Sequence, residues 1–434
     1  MSKQNQIKAI RGMNDILPAE SAVWELVEEQ CRDVFSRHNY SLIRTPVLES
    51  TNLFARSIGA DTDIVSKEMY TFEDRNGDSL TLRPEGTASC VRAGIENGLF
   101  YNQQQRFWYM GPMFRHERPQ KGRYRQFFQI GAEAYGWAGP DIEAEILSML
   151  QQIFDRLGLQ KTHLQINSLG DSQTRSDYRT ALVEYLNTVH EQLDDDSQRR
   201  LTTNPLRILD SKNTKVQELL SDAPSILDFL SDQSRYNFER LQAYLQALDI
   251  EFSINAKLVR GLDYYNDTVF EWINPDFGAQ STVCGGGRYD GMVEQLGGQA
   301  TPGFGFAMGL ERLVQILIEQ GAAVSKVSAS PQVFIISSGE VAREQALVLQ
   351  QMLSKNDIKT QCHMGSGSIK NQFKKADKSS ADIALIIGEQ EAETKELGVK
   401  LLRQQKNPKN ETFEQQKIAQ NDAFNVVTNI LESL

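Results

Sequence analysis

The sequence predicts an α+β fold: a first domain built on an antiparallel sheet and interrupted by a helical insertion, then a smaller α/β domain. Strand-like and helix-like segments of domain 1–325 occur in blocks, without the regular alternation of a doubly wound sheet. Residues 171–250 change to polar, helix-like patterns, which indicates the insertion. Over residues 331–434 strands and helices alternate, as in a separate α/β domain. The stretch 325–331 is predicted to be a linker.

An amphipathic helix and a proline-bearing strand open the first domain. Residues 22–35 repeat apolar side chains about once per helical turn. Residues 40–48 are predicted to form a strand that contains Pro46, which cannot donate a hydrogen bond to a sheet ladder. The segment is therefore either an ordinary edge strand or part of a dimer interface, where helix and strand meet their symmetry mates.

Two strand pairs follow in the same domain. Runs 106–114 and 125–136 predict an antiparallel hairpin with a charged, glycine-containing loop, RHERPQKGRY. Runs 251–259 and 267–273 predict a second pair around the loop RGLDYYN.

Charge limits the possible partners. The formal net charge of −11 argues against indiscriminate nucleic-acid binding, so an RNA contact needs a local basic patch. One candidate patch is 370–378, which includes Lys370, Lys374 and Lys375. A solvated helix face would explain the same pattern.

The cysteine and histidine spacings predict neither disulfides nor a metal site. The four cysteines are scattered without a CxxC pair, and the five histidines show no ligand spacing, so buried free thiols are expected. The N-terminus lacks the apolar core of a secretory signal, and no apolar run approaches the ~20 residues that cross a bilayer. We therefore expect a cytoplasmic protein without a membrane partner.

The glycine-rich runs do not match the common nucleotide-binding loops. GFGFAMG (303–309) is not GxGxxG, and GGGRYDG (285–291) is not a Walker A loop. A nucleotide would have to be held by arginines, whose guanidinium forks match phosphate oxygens and stack on flat rings. Four candidates lie beside the predicted loops and the last helix of the domain: Arg115, Arg123, Arg260 and Arg312. Taken singly, each is more often a surface salt-bridge partner.

One face of the strand over 125–136 carries polar groups. Because side chains alternate across a sheet, Gln129, Gly131 and Glu133 share a face, and the opposite face is apolar. The glycine leaves a gap through which a small ligand could approach the sheet. The amide and the carboxylate could hold an ammonium group or an imidazole N–H. A solvent-facing strand is the plainer alternative.

Two further segments carry candidate binding residues. Glu85 and Thr87 lie at a predicted helix start, where exposed N–H groups commonly bind ligands, although helix capping alone explains Thr87. A tyrosine pair is more often part of a core or an interface, but Tyr264 and Tyr265 follow Arg260 in a polar loop, which makes a pocket wall a stronger candidate.

Together these segments resemble the class II aminoacyl-tRNA synthetases, and most closely the histidyl-tRNA synthetase family, over essentially the whole chain. TPVLE (45–49) is similar to the first motif of that class, which makes the dimer interface. Residues 114–133 and 303–313 are similar to its second and third motifs. LVRGLDYYNDTVFEW (258–272) and RPEGTA (83–88) are similar to the two segments that make the family's pocket specific for histidine.

The resemblance implies a role for each candidate residue. The implied ATP-binding residues are Arg115, Glu117, Arg123 and Arg312. Arg115 and Arg260 would be catalytic, since both would stabilise charge on the α-phosphate. The implied histidine-binding residues are Glu85, Gly86, Thr87, Gln129, Glu133, Tyr264 and Tyr265. Glu133 and Tyr265 would hold the imidazole, and Mg²⁺ would bridge the ATP phosphates with no protein ligand assigned.

The implied activity is ATP-dependent attachment of L-histidine to tRNA(His) by a homodimer. The resemblance makes 1–325 the catalytic domain, 171–250 a clamp on the acceptor arm, and 331–434 the anticodon-binding domain. Lys370, Lys374 and Lys375 are the candidate tRNA contacts. Three alternatives remain: a non-catalytic, histidine-sensing regulatory paralogue, an RNA-binding module on an inactive catalytic fold, and a synthetase for another amino acid.

Overall fold

The structure, a computed structural model, describes residues 7–59, 62–120, 122–276, 282–321, 330–403 and 415–433. The chain forms two compact units, Met1–Lys326 and Val327–Leu434. Most of the predicted linker at 325–331 lies outside the described residues. The exact bounds predicted for the two domains and for the insertion stay predictions.

The first unit combines strands with helices that fall in blocks along the chain. Its strands are β1 Ser41–Leu42, β2 Leu48–Ser50, β3 Tyr70–Glu73, β4 Ser79–Leu82, β5 Gln105–Phe114, β6 Gln126–Tyr135, β7 His163–Ser168, β8 Phe252–Ile254, β9 Asn266–Ile273, β10 Thr282–Arg288 and β11 Gly303–Gly309. Its helices are α1 Pro18–Arg37, α2 Thr51–Ile58, α3 Thr87–Glu96, α4 Asp141–Leu157, α5 Ser172–Thr188, α6 Asp195–Thr203, α7 Thr214–Leu219, α8 Asp232–Ala247, α9 Met292–Gln295 and α10 Leu310–Glu319.

An eight-stranded sheet forms the centre of this unit. Its strand order is β1-β5-β6-β11-β10-β9-β7-β8. The outermost pairs, β1 with β5 and β7 with β8, are parallel, and every pair between them is antiparallel. A smaller antiparallel sheet has the order β2-β4-β3. The predicted α+β class with an antiparallel sheet is thereby confirmed.

The prediction of one continuous strand over 40–48 is wrong. Ser41–Leu42 pairs with β5 in the large sheet, whereas Leu48–Ser50 pairs with β4 in the small one. The chain changes sheets around Pro46, which has no N–H to donate to a ladder. Its carbonyl lies 3.4 Å from the Arg83 guanidinium.

The predicted pairing of 251–259 with 267–273 is also wrong. β7 lies between β8 and β9, parallel to the first and antiparallel to the second. The helices α5 to α8 connect β7 to β8 and return the chain to the sheet in the same direction. Such a crossover permits parallel pairing, whereas a short loop permits only a hairpin.

Helices cover one face of the large sheet. Ile130 and Ala132 of β6 are fully buried on this face, in one apolar cluster with Val27 of α1, Leu150 of α4 and Leu313 of α10. The opposite face of β6, with its polar residues, is turned toward the start of α3, where Thr87 contacts Glu133. The alternation predicted for this strand is therefore present.

Helices α5 to α8 form a block whose apolar side chains join the cores of the sheet domain. The N-termini of α5 and α6 are capped by Asp171 and Asp194, whose carboxylates accept backbone N–H bonds of 2.8 Å. Tyr178 and Leu182 of α5 pack in a cluster with Ile208, which follows α6. Leu241 and Leu245 of α8 pack in one cluster with Leu150 of α4, so the block is joined to the sheet domain by apolar packing.

The second unit contains β12 Val333–Ser337, β13 Thr360–Cys362, β14 Ile383–Ile387, β15 Glu396–Leu401 and β16 Gln416–Ala419 with α11 Glu340–Lys355, α12 Ile369–Lys378, α13 Glu389–Thr394 and α14 Ala423–Ser433. The strand order is β13-β12-β14-β15-β16. The first three strands are parallel and the last two join antiparallel. This gives an α/β unit with an antiparallel edge. Over the described parts of both units, no helix is long and apolar enough to cross a bilayer.

Candidate active site

A buried carboxylate on the polar face of β6 accepts hydrogen bonds from three hydroxyl groups. Thr87 Oγ1 donates to Glu133 Oε1 at 2.7 Å and Tyr109 OH donates to the same oxygen at 3.3 Å, while Tyr289 OH donates to Oε2. Glu133 is completely buried. Burial raises the pKa of Glu133 to about 8, against the opposing effect of these hydrogen bonds. We call these four residues the Glu133 network.

Glycines in neighbouring strands make room for this network. Gly305 of β11 lies opposite Glu133, and a Cβ there would overlap the Glu133 carboxylate. Gly131 lies opposite Tyr109 of β5, and a Cβ there would overlap the tyrosine ring. The predicted role of Gly131 as a gap for a ligand is therefore wrong, since the Tyr109 side chain fills that space.

The start of α3 presents two more of the predicted binding residues. Glu85 accepts from the N–H groups of Thr87 at 2.6 Å and Ala88 at 2.9 Å, so it caps the helix. Burial raises the pKa of the Glu85 carboxyl. A Cβ at Gly86 would overlap the Tyr109 ring, so glycine lets the helix approach the sheet here.

Gln129 provides an acceptor without a partner. Its side chain is nine-tenths buried, and its Oε1 atom has no hydrogen-bond partner in the described part of the chain. A buried polar atom of this kind costs free energy unless a ligand or water satisfies it. Gln129 lines the cavity beside the Glu133 network.

All four predicted arginines line one cavity of about 270 Å³. The loop between β5 and β6, the strand β10 and the start of α10 form its walls. We call it the arginine cavity, after Arg115, Arg123, Arg260 and Arg312. The structure thus brings together residues that are up to 197 positions apart, from 115 to 312.

Two of these arginines are held by backbone carbonyls. Arg115 Nε donates to the Pro84 carbonyl at 2.9 Å. Arg312 donates to the carbonyl of Thr282 and, at 3.4 Å, to that of Gly122. Burial lowers the pKa of both guanidinium groups. Neutral carbonyls leave the positive charge of each arginine available to an anion.

The other two arginines pair with carboxylates. Arg123 pairs with Glu117, and its side chain is 48% exposed. Arg260 pairs with Glu271, which also accepts from Thr282 Oγ1 at 2.8 Å. Both pairs keep a guanidinium at the cavity wall until a stronger anion, such as a phosphate, competes for it.

The tyrosines of the RGLDYYN loop adjoin the Glu133 network. The Tyr264 ring centroid lies 4.5 Å from that of Tyr265 and 5.7 Å from that of Tyr289. Tyr265 is buried, and its ring lies 5.9 Å from the Arg260 guanidinium. This loop therefore joins the network to the arginine cavity.

Sequence reasoning missed four residues of this site. Tyr109 and Tyr289 complete the network, and Glu271 and Glu311 provide carboxylates at or beside the cavity. The alternation of β5 gave a weak signal for Tyr109, but strand register decides which residue it faces. Tyr289 lies inside the glycine-rich run GGGRYDG, which drew attention to the glycines instead.

Two other predictions concern the rest of the chain. All four cysteines are buried free thiols, as predicted. Lys370, Lys374 and Lys375 are exposed on α12 of the second unit. Nothing in the structure tests their predicted contact with RNA. Within the described ranges, no group of three or more His, Cys, Asp or Glu side chains could hold a metal ion.

The antiparallel sheet, with its arginine cavity between the β5–β6 hairpin and the start of α10, defines a class II aminoacyl-tRNA synthetase fold, as comparison with known proteins shows. Residues 12–313 match the family model of histidyl-tRNA synthetase, and residues 332–430 match that of the anticodon binding domain. The chain belongs to the histidyl-tRNA synthetase family.

Solved structures agree with this assignment. The chain is similar to the apo histidyl-tRNA synthetase of S. aureus, at 38% identity and a TM-score of 0.80, with 97% of this chain and 100% of that one covered. It shares the fold of the histidyl-tRNA synthetase of Nostoc sp. PCC 7120, at 19% identity and a TM-score of 0.70, over 98% and 100% of the two chains. It also shares the fold of an ATP phosphoribosyltransferase regulatory subunit/histidyl-tRNA synthetase of Bacillus halodurans C, at 19% identity and a TM-score of 0.64, over 89% and 98%.

Proposed function

We propose that this chain attaches L-histidine to tRNA(His) in two ATP-dependent steps. The histidine carboxylate attacks the α-phosphorus of ATP, which forms histidyl-adenylate and releases diphosphate. A hydroxyl of the terminal ribose of the tRNA then attacks the activated carbonyl, and AMP leaves. The observation that carries this proposal is a buried carboxylate network that the 260–265 loop joins to a cavity lined by four arginines.

The first step needs positioning and charge stabilisation, with no general base, because the attacking carboxylate is already ionised. Arg115 and Arg260 are the proposed catalytic residues, since negative charge grows on the α-phosphate during attack. Arg115 is already oriented by the Pro84 carbonyl, and Arg260 by Glu271. Groups fixed in advance stabilise a transition state without a reorganisation cost.

The Glu133 network is the proposed specificity element for histidine. An imidazole N–H can donate to the Glu133 carboxylate, and Tyr265 with its neighbour Tyr264 closes the same pocket. An aliphatic side chain would leave the buried carboxylate without that donor, which is how a polar site rejects an apolar analogue.

The α-amino group of histidine requires acceptors, and three of the predicted residues offer them. The unpartnered Gln129 Oε1 is the foremost candidate. Glu85 and Thr87 lie at the start of α3, where Gly86 allows close approach. An ammonium group donating to Gln129 and Glu85 would satisfy the orphaned oxygen and counter the burial of the carboxylate.

ATP would fill the arginine cavity. Arg312 would pack on the adenine, and Arg123 would turn from Glu117 to the β- and γ-phosphates. Glu117 and Glu311 line the cavity, so the donor set suits Mg²⁺ held mainly by phosphate oxygens with one or two carboxylates. The ion would neutralise phosphate charge when it enters with the nucleotide.

Further parts of the proposal rest on the family. We propose a cytoplasmic homodimer whose interface includes TPVLE (45–49). We also propose a catalytic domain over 1–325 with its insertion at 171–250 against the acceptor arm, and an anticodon-binding domain over 331–434. Lys370, Lys374 and Lys375 are the candidate tRNA contacts in the latter.

The regulatory alternative predicts histidine binding without catalysis. The S. aureus match at 38% identity and the anticodon-binding match over 332–430 support the synthetase. The presence of all four arginines in one cavity supports it too, since histidine sensing needs no phosphate-binding wall.

The test is exchange of labelled pyrophosphate into ATP with each of the twenty amino acids, followed by charging of purified tRNA(His). We expect exchange with histidine alone and histidine-dependent charging. Exchange with another amino acid would keep the synthetase class and reject histidine specificity. Folded protein that binds histidine but exchanges with none of the twenty would support the regulatory role.

A further inference from the structure

The loop 260–265 separates two cavities. One is the arginine cavity, and the other, of about 420 Å³, lies between the loop and the helical insertion. Arg260 lines both of them. A residue on the insertion side of this loop can therefore influence the proposed active site without touching any substrate.

Alternate residues of the loop are bound by the insertion. Arg207 Nη2 donates to the Gly261 carbonyl at 2.8 Å. Asn204 Nδ2 donates to Asp263 Oδ1 at 3.1 Å, and Arg175 Nη1 donates to the Tyr265 carbonyl at 2.8 Å.

Arg260 and Tyr264 face the proposed active site, whereas Leu262 lines the cavity on the insertion side. Arg260 pairs with Glu271, and the Tyr264 ring packs at 73° against Tyr289. The three contacts tie the loop to the insertion, two of them through backbone carbonyls, and so restrain the positions of Arg260 and Tyr264. A change in the backbone at 261 would move Arg260 directly, since the two residues are adjacent.

Arg207 is the best placed of the three donors. It lies in a short 3-10 helix, Pro205–Ile208, whose proline is buried. Arg200 Nη1 donates to the Arg207 carbonyl at 3.2 Å and ties this segment back to α6. The backbone that carries Arg207 is therefore held in place, and a hydrogen bond from its charged guanidinium is stronger than one from a neutral amide.

We propose that Arg207 is a positioning residue for adenylate formation, acting through the Gly261 carbonyl on Arg260. The inference rests on the proposed function, because it assigns Arg260 to the α-phosphate. Through this contact, the helical insertion determines the rate of the chemical step. Arg207 reaches neither the arginine cavity nor the Glu133 network, so it is not a binding residue.

The test compares Arg207→Ala and Arg207→Lys with Arg235→Ala. Arg235 is a matched control, because it also lies in the insertion and its guanidinium also donates to a backbone carbonyl. That carbonyl belongs to Leu227, which is part of the insertion and not of the loop 260–265. Rapid-quench measurement of histidyl-adenylate gives both the amplitude and the rate constant of the first turnover.

We expect the rate constant of Arg207→Ala to fall about tenfold, the size of effect expected when a hydrogen bond to a charged group is lost. The amplitude and the KM values for ATP and histidine should stay within about twofold of wild type, because the binding residues are untouched. Arg207→Lys should recover part of the rate, and Arg235→Ala should match wild type. A lower amplitude with an unchanged rate constant, or an equal loss in Arg235→Ala, would overturn the proposal.

Hydrogen–deuterium exchange separates this inference from the proposed function. In Arg207→Ala, peptides that span 258–266 should exchange faster, while peptides from α8 should not change. If wild type forms no adenylate, the proposed function fails, and the exchange comparison still decides whether Arg207 holds the loop. Equal exchange of the 258–266 peptides in wild type and Arg207→Ala would refute the contact's role.

Discussion

On one side of the candidate site, Glu133 is fully buried and accepts three hydroxyl hydrogen bonds. On the other side, four arginines hold backbone carbonyls or carboxylates at the wall of a cavity, and the Arg123 side chain is half exposed. The Glu133 network is thus closed and internally satisfied, whereas the arginine cavity contains contacts that a phosphate can replace.

This difference suits two kinds of ligand. A small amino acid must be distinguished from nineteen others, so its pocket benefits from buried groups whose geometry is fixed before binding. A triphosphate is recognised by charge and leaves as two separate products, so its pocket benefits from cations that can exchange partners. Substitutions on the two sides should therefore change different kinetic constants.

The largest effect should come from Arg260→Ala on the cavity side. Adenylate formation should slow by about 10²- to 10³-fold, the usual cost of removing a donor that stabilises transition-state charge. Single-turnover measurement with saturating ATP and histidine reports this step alone. Arg260→Lys should retain part of the rate, since it keeps the charge but loses the fork. A wild-type rate in Arg260→Ala would remove this residue from the mechanism.

A smaller effect is expected from Glu133→Gln in the network. The amide keeps the shape but replaces one acceptor oxygen with an NH2 group, which cannot accept an imidazole N–H, so the KM for histidine should rise about 10- to 100-fold. The KM for ATP should stay near wild type, because Glu133 does not line the arginine cavity. Steady-state pyrophosphate exchange gives both values. A rise in the KM for ATP of equal size would break the proposed division between the two sides.

Gly305→Ala should affect the network through packing alone. The added methyl group would displace the Glu133 carboxylate, and we expect the KM for histidine to rise about tenfold. Gly291→Ala is the matched control, since a Cβ at Gly291 meets nothing within 4 Å. Equal behaviour of the two variants in the exchange assay would contradict the close fit of β11 against Glu133.

The smallest expected effect concerns pH and stability. Burial raises the pKa of Glu311 to about 7, and its carboxylate accepts from the Phe128 N–H at 2.9 Å. A carboxyl whose pKa is raised by folding stabilises the protein fully below its ordinary pKa, and this contribution is lost as pH rises through 7. Glu311→Gln should therefore flatten the decline in Tm between pH 6 and 8 by roughly 2 °C. A steeper decline in the variant would reverse the sign of this argument.

The sequence predicted more of the cavity than of the network. An arginine is a candidate phosphate ligand by its residue type alone, and the resemblance to the family's motifs predicted that the four arginines lie in one site. Tyr109 and Tyr289 could not be found in the same way, because their roles depend on strand register and on glycines 131 and 305 across the sheet. The role of Gly131 was misread for the same reason.

The fold shows a similar division. Periodicity and block order predicted the antiparallel sheet and the helical insertion. The sheet's strand order was not readable, since β7 comes between β8 and β9 only because the insertion forms a crossover. The break at Pro46 depends on two sheets that meet there, which no local pattern reveals.

The most direct test of the account is a calorimetric titration of histidine into the protein without ATP, beside Glu133→Gln. A pocket that is complete before the nucleotide arrives predicts that wild type binds histidine alone and that Glu133→Gln binds it about 10- to 100-fold more weakly. Histidine binding that appears only after ATP is added, or that is equal in the two proteins, would contradict the proposal that a preformed Glu133 network selects the amino acid.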